Sequence, residues 1–88
     1  MMQMLVRNRV KDFALWHSYL QADLPAAAEY GLTLKLIWQA ADDPNNVFFL
    51  LAVADRARAE AFLSRPESVA IGEKSGVIDG DYHFLETV

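Results

Sequence analysis

Arg7 and Arg9 stand two residues apart in Met4-Leu5-Val6-Arg7-Asn8-Arg9-Val10, a segment patterned as a strand. Strand alternation puts both guanidinium groups on one face with Leu5. Two rigid forks side by side suit a carboxylate or an enolate, which makes the pair a candidate anion-binding wall. The plainer use is ion pairing with acids such as Asp81 or Glu86, within the chain or across a dimer. Asn8 falls on the opposite face with Met4, Val6 and Val10. His83 lies between Tyr82 and Phe84, and alternation groups it with Leu85. If Tyr82 and Phe84 pack under helices, His83 faces the other way, where it could act as a general base or hydrogen-bond a ligand carbonyl. The plainer alternative is a solvated or interface histidine. Trp38 is either a core or interface residue or one wall of an aromatic pocket. His17 borders the apolar stripe of the first helix, as a boundary residue or a ligand contact. Trp16 on that stripe is read as helix–sheet packing.

Other chemistries lack their residues. His17 and His83 are far apart and no His-Glu-x-x-His spacing occurs, so no metal site is expected. Asp42-Asp43-Pro44-Asn45-Asn46 lacks the twelve-residue calcium-loop pattern and its closing glutamate, and reads as a turn. There is no glycine-rich phosphate loop and no serine nucleophile motif. No cofactor is expected.

The elements that would position these residues follow from periodicity. The first strand ends near Val10. Asp12 is an N-cap for a helix with Phe13, Trp16, Leu20, Leu24 and Ala27 inward. Pro25 predicts a kink or break near Asp23-Leu24, with a second short helical piece that Gly31 ends. Leu32 to Ala40 is a strand with Leu34, Leu36 and Trp38 on one face, and Thr33, Lys35, Ile37 and Gln39 on the other. A turn over Ala41–Asn46, longer than a two-residue hairpin loop, joins it to an antiparallel strand Val47–Val53. That strand, Val47-Phe48-Phe49-Leu50-Leu51-Ala52-Val53, is apolar on both faces, as in a sheet covered on both sides. Asp55 caps the second helix, which Pro66 interrupts or restarts with Ser64 as its cap, and Gly76 ends it. Gly80 predicts a turn, and Tyr82–Val88 is the last strand. The order β-α-β-β-α-β predicts an α+β, ferredoxin-like plait: a four-stranded antiparallel sheet in spatial order 4-1-3-2, with helices on one face only. Something else must cover the second face of the apolar strand, and a second copy of the chain is the simplest candidate.

The 88 residues allow one domain, which buries a modest share of its surface. No cysteine is present to form disulfides or thiolate sites. Eight basic against twelve acidic residues leave a net charge of −4, which argues against tracking nucleic-acid phosphates. No apolar run has the length of a membrane span and no secretory signal is evident, so a cytoplasmic protein is expected.

Over nearly its whole length the chain resembles short members of the dimeric α/β-barrel superfamily, cyclase-like or monooxygenase-like. The resemblance rests on Val10-Lys11-Asp12-Phe13 with Trp16, Gly31-Leu32, Trp38 and Asp42-Asp43-Pro44-Asn45. It continues through Asp55, Ala61-Phe62-Leu63-Ser64, Pro66-Glu67 and Gly76-Val77. It implies a homodimer whose two sheets pack face to face into a barrel. Cofactor-free and haem-degrading relatives use asparagine and tryptophan inside their pockets, and Asn8 and Trp38 match these by type. No histidine lies between Asp55 and Ser75, where analogy would place a haem ligand, so haem is not expected. The resulting expectation is a homodimeric barrel that binds a small organic molecule. The alternative is a cofactor-free monooxygenase, cyclase or isomerase-like enzyme for an aromatic or polyketide-like substrate. Arg7, Arg9 and His83 are its catalytic candidates; Trp38, Asn8 and His17 are its ligand-binding ones. A non-catalytic dimeric module, in which the aromatics merely pack and the arginines merely pair, is the competing class.

Overall fold

The computed structural model describes residues 1–88. Seven elements follow in order: β1 (Met2–Val10), α1 (Phe13–Glu29), β2 (Leu32–Ala40), β3 (Asp43–Val53), α2 (Arg56–Leu63), α3 (Pro66–Lys74) and β4 (Val77–Glu86). The strands form one antiparallel sheet in the order β2-β3-β1-β4, as the plait requires. The helices cover one face. Met4, Val6 and Val10 of β1 and Val47, Phe49, Leu51 and Val53 of β3 are buried there with Trp16 and Ala27 of α1 and Ala59 of α2.

Local chemistry sets the helix ends. The Asp12 carboxylate accepts from the Ala14 amide at 3.2 Å, and that of Asp55 from the Ala57 and Arg58 amides at 2.8 and 3.3 Å. Each serves amides that have no partner within the first turn. Pro66 opens α3, where its missing N–H is no loss. Gly31 and Gly76 follow α1 and α3 with φ of +77° and +82°.

The elements depart from the sequence-based expectation in five places. Pro25 does not break α1, which runs unbroken through it. It lies on the exposed side, where water can serve the freed carbonyl of Gln21, while Leu20, Leu24 and Ala27 hold the inner side. The β2–β3 connection is shorter than the expected Ala41–Asn46 turn. Ala40 already pairs with Asp43, leaving Ala41 and Asp42 between them. Ser64 does not cap the restarted helix but ends α2, its hydroxyl donating to the Ala61 carbonyl. Gly80 is not a turn: β4 begins at Val77 and carries Gly80 opposite Asn8. The fifth departure is a register shift between Leu34 and Leu36. One extra residue there turns the rest of β2 over. Leu34 faces the helices opposite Leu51, whereas Leu36 and Trp38 pair with Leu50 and Phe48 on the open face, and Ile37 pairs with Phe49 on the covered one.

Candidate functional site

α1 and α3 do not close over the sheet. Between them and the sheet lies a cavity of about 560 Å³, in the range of small-molecule sites. Its sheet side includes Met4, Val6, Phe49 and Leu51; α1 contributes Trp16 and Leu20. Interiors are ordinarily filled to crystal-like density, so a void of this size over an otherwise tight sheet is a feature of its own.

Asn8 is the polar side chain on the β1 floor of this cleft. Strand alternation sets it in line with Met4 and Val6. With its amide oxygen and nitrogen assigned from the groups they face, its carboxamide donates to the Arg7 carbonyl at 3.0 Å and accepts from Trp16 Nε1 at 3.3 Å. The tryptophan N–H thereby finds the acceptor that a buried indole needs. One amide N–H and one carbonyl lone pair of Asn8 stay uncommitted. Gly80 makes this position possible. A Cβ there would stand 2.4 Å from the Arg7 carbonyl oxygen and 2.5 Å from the Asn8 carboxamide.

The other end is tied by Arg65. Its Nη2 donates to both carboxylate oxygens of Asp23 at 3.2 and 3.1 Å, and its Nε to Ser68 Oγ at 3.0 Å. Its guanidinium lies 4.0 Å above the centre of the Phe62 ring. The Arg65 and Asp23 side chains are 13 % and 19 % exposed. This nearly buried pair joins α1 to the α2–α3 corner.

The open face carries the remaining strand candidates. Arg9 and Arg7 reach Asp79 at 2.7 and 3.3 Å, and Arg7 reaches Asp81 at 3.1 Å. Arg7 also donates to Asn46 at 3.2 Å. The hydrogen bond from Arg9, followed by the charge of Arg9 and the contacts of Arg7, holds the Asp79 carboxyl below its ordinary value of 3.8. The hydrogen bond to Asp81 leads the causes that raise Arg7. His83 sits opposite Leu5 on this face, with Nε2 3.7 Å from Asp81 Oδ1. Trp38 and Leu36 stand on the same face at 44 % and 51 % exposure. His17 belongs to neither place. It stacks on Phe13 at 5.5 Å and lies 3.2 Å from Gln21 Nε2 along α1. Asn8 is therefore the one sequence-derived candidate that lines the cleft. Arg7, Arg9, His83 and Trp38 share the opposite face. No group of three His, Cys, Asp or Glu side chains stands close enough to hold a metal ion.

No family model matches the sequence, and no curated protein matches it. Solved structures do match. A crystal structure of an antibiotic biosynthesis monooxygenase superposes with TM-score 0.73 at 14 % identity, over 100 % of this chain and 99 % of that one. The cofactor-independent oxygenase SnoaB from Streptomyces nogalater gives 0.74 at 12 %, over 98 % and 91 %. The chain has the fold of the antibiotic biosynthesis monooxygenases. An uncharacterized NIPSNAP domain protein from Burkholderia xenovorans shares this monooxygenase fold too, with TM-score 0.69 at 16 %, over 100 % and 95 %. The ferredoxin-like plait expected from the sequence is thus present in the single chain, and likeness at these identities speaks for fold alone.

The resemblance singles out Asn8 and Trp38 by residue type, whereas the tryptophan that meets Asn8 is Trp16. A signal was there. Asn8 is a lone polar residue on an apolar strand face, and a buried indole must find an acceptor. Gly80 and Gly72, which also line the cleft, carried no such signal.

Proposed function

We propose that this protein binds a small, largely apolar organic molecule in the cleft between sheet and helices. The cleft itself supports the reading best: about 560 Å³ of space with apolar walls and a carboxamide, that of Asn8, holding an unused N–H. A panel of hydroxylated polycyclic aromatics tests it by thermal shift. A ligand that enters the cleft raises Tm by mass action. A panel in which no member raises Tm sinks the reading.

Asn8 and Trp16 favour a second reading, because a structural neighbour is a cofactor-independent oxygenase. In it an aromatic or polyketide-like substrate itself supplies the electrons that reduce dioxygen, and cyclase or isomerase-like chemistry is the related option. The free Asn8 N–H would donate to a substrate oxygen as negative charge develops there. Oxygen uptake with the same panel, lost in Asn8→Ala, is the expected result. Binding without uptake leaves the first reading standing and removes the second.

The reading includes a homodimer built on the open face. Leu36, Trp38 and Leu85 are exposed there beside Leu5, Phe48 and Leu50, an apolar patch that monomers seldom leave in water. Arg7, Arg9 and His83 then belong to the subunit contact or the space it encloses, where they remain the candidates for anion binding and proton transfer. Sedimentation at micromolar concentration should give twice the chain mass of 9.9 kDa; a single-chain species rejects the dimer. A cytoplasmic setting fits a chain that has no cysteine to oxidise. No helix is long and apolar enough to cross a membrane.

A further inference from the structure

Three of the four glycines have a reason within the chain: Gly31 and Gly76 their positive φ, Gly80 the close approach of Arg7 and Asn8. Gly72 has neither. It lies inside α3 without a positive φ, and a Cβ built on it meets no atom within 4 Å. Glycine in a helix interior is destabilising relative to alanine. The unliganded protein therefore gains nothing in conformation or packing from Gly72.

What Gly72 leaves is room. Ser68, Ile71 and Gly72 are spaced as one stripe of α3, Ser75 just past its end continues that stripe, and all four line the cleft. No residue from Pro66 to Lys74 is buried, so Ser68, Ile71 and Gly72 look onto space rather than onto core, and only Ser75 at the helix end is buried. Gly80 on the sheet also lines this space, which gives the cleft two positions without side chains. Its electrostatics are equally specific. No lysine, arginine or histidine lines it; of the acids that border it, Asp23 is already hydrogen-bonded by Arg65, and Asp81 borders it from the strand while its carboxylate meets Arg7 on the open face. A ligand anion would find no unpaired cation there, Arg65 at the end being held by Asp23, and a ligand cation no free carboxylate. Burial of either charge would go uncompensated.

We infer that Gly72 sets the width of the cleft for an uncharged ring system lying between α3 and the sheet. The inference rests on the cleft being the binding site, and it adds both the class of ligand and the residue that selects its size. The probe is N-phenylnaphthylamine, which is uncharged. Its comparison is anilinonaphthalene sulfonate, the same ring skeleton with one negative charge.

The wild-type chain should take up the neutral probe with enhanced fluorescence, and the sulfonate at least about tenfold more weakly. Gly72→Ala should weaken uptake of the neutral probe several-fold and Gly72→Leu by more than about tenfold, as wall volume is added. Gly72→Ala should also hold or raise Tm by a few degrees, because it improves the helix. Wild-type affinity in Gly72→Leu overturns the size role, and equal affinity for the two probes overturns the charge selection. Should Gly72→Leu lose stability, Gly72→Ala decides: weaker uptake at an undiminished Tm supports the inference, and unchanged uptake overturns it. A wild-type chain that ignores the neutral probe removes the cleft reading itself and the inference with it.

Discussion

Phe48 and Phe49 are adjacent in β3 and point to opposite faces of one sheet, and the two faces are built on different rules. The covered face is apolar, dry at Val47 and Met4, and carries a void beneath α3. The open face has no cover. It combines a charged half, Arg7 and Arg9 with Asp79 and Asp81, and an apolar half around Leu36, Trp38 and Phe48. Folding of one chain therefore rests on the covered face, and in the proposed homodimer contact with the second copy would fall to the open one. Both faces leave something to be filled, a cavity on one side and a wet apolar patch on the other.

Phe49→Ala should break the comparison most severely. Phe49 is buried against Trp16, with ring centres 5.5 Å apart, and its truncation should cost about 3–5 kcal/mol. Phe48→Ala should leave unfolding in dilute solution within about 1 kcal/mol of wild type, because its face is open. Urea melts of both variants check this, and equal losses would show that the faces are energetically alike. Trp38→Asp acts on the open face alone. It should weaken the proposed dimer by about 2 kcal/mol or more, the scale of a central aromatic at an interface. Sedimentation equilibrium reads this directly, and an unchanged dimer would place the contact elsewhere.

Arg65→Ala sharpens the picture of the covered face. It leaves the Asp23 carboxylate nearly buried without its partner, which should cost about 1–3 kcal/mol. Hydrogen exchange should locate the loosening at α3, the helix with no buried residue of its own.

Asp79→Asn on the open face should have the smallest effect, since its ion pairs stand in water. Its sign is definite. The folded state holds the Asp79 carboxyl below 3.8, so the carboxylate's contribution is complete above that value and is lost as pH falls through the lowered one. Wild type and Asp79→Asn should therefore differ slightly in Tm at neutral pH and converge in strong acid. A difference that grows on acidification would contradict the arrangement of Arg9 and Asp79.

The plait was legible because its signals are local and repeated. Asp12 and Asp55 announced helix starts, Gly31 and Gly76 announced ends, and the run Val47–Val53 announced a strand within the sheet. Asn8 was legible as a polar residue on a core face. Trp38 was not, because period-two counting assumes an unbroken register, and the bulge between Leu34 and Leu36 adds one residue to it. Pro25 misled for a similar reason. Its missing N–H is a local fact, but whether a helix survives it depends on what holds the residues around it.

By itself, the sequence determined the alternation that assigns Met4, Val6 and Asn8 to one face and Arg7 and Arg9 to the other, and hence the class of fold. Periodicity is a property of neighbours along the chain, so it can be read there. Tertiary structure alone decided that Trp16 rather than Trp38 meets Asn8, that Arg65 reaches Asp23, and that space lies under Gly72. Those facts concern distances between separate elements once they are packed, and no run of adjacent residues carries such a distance.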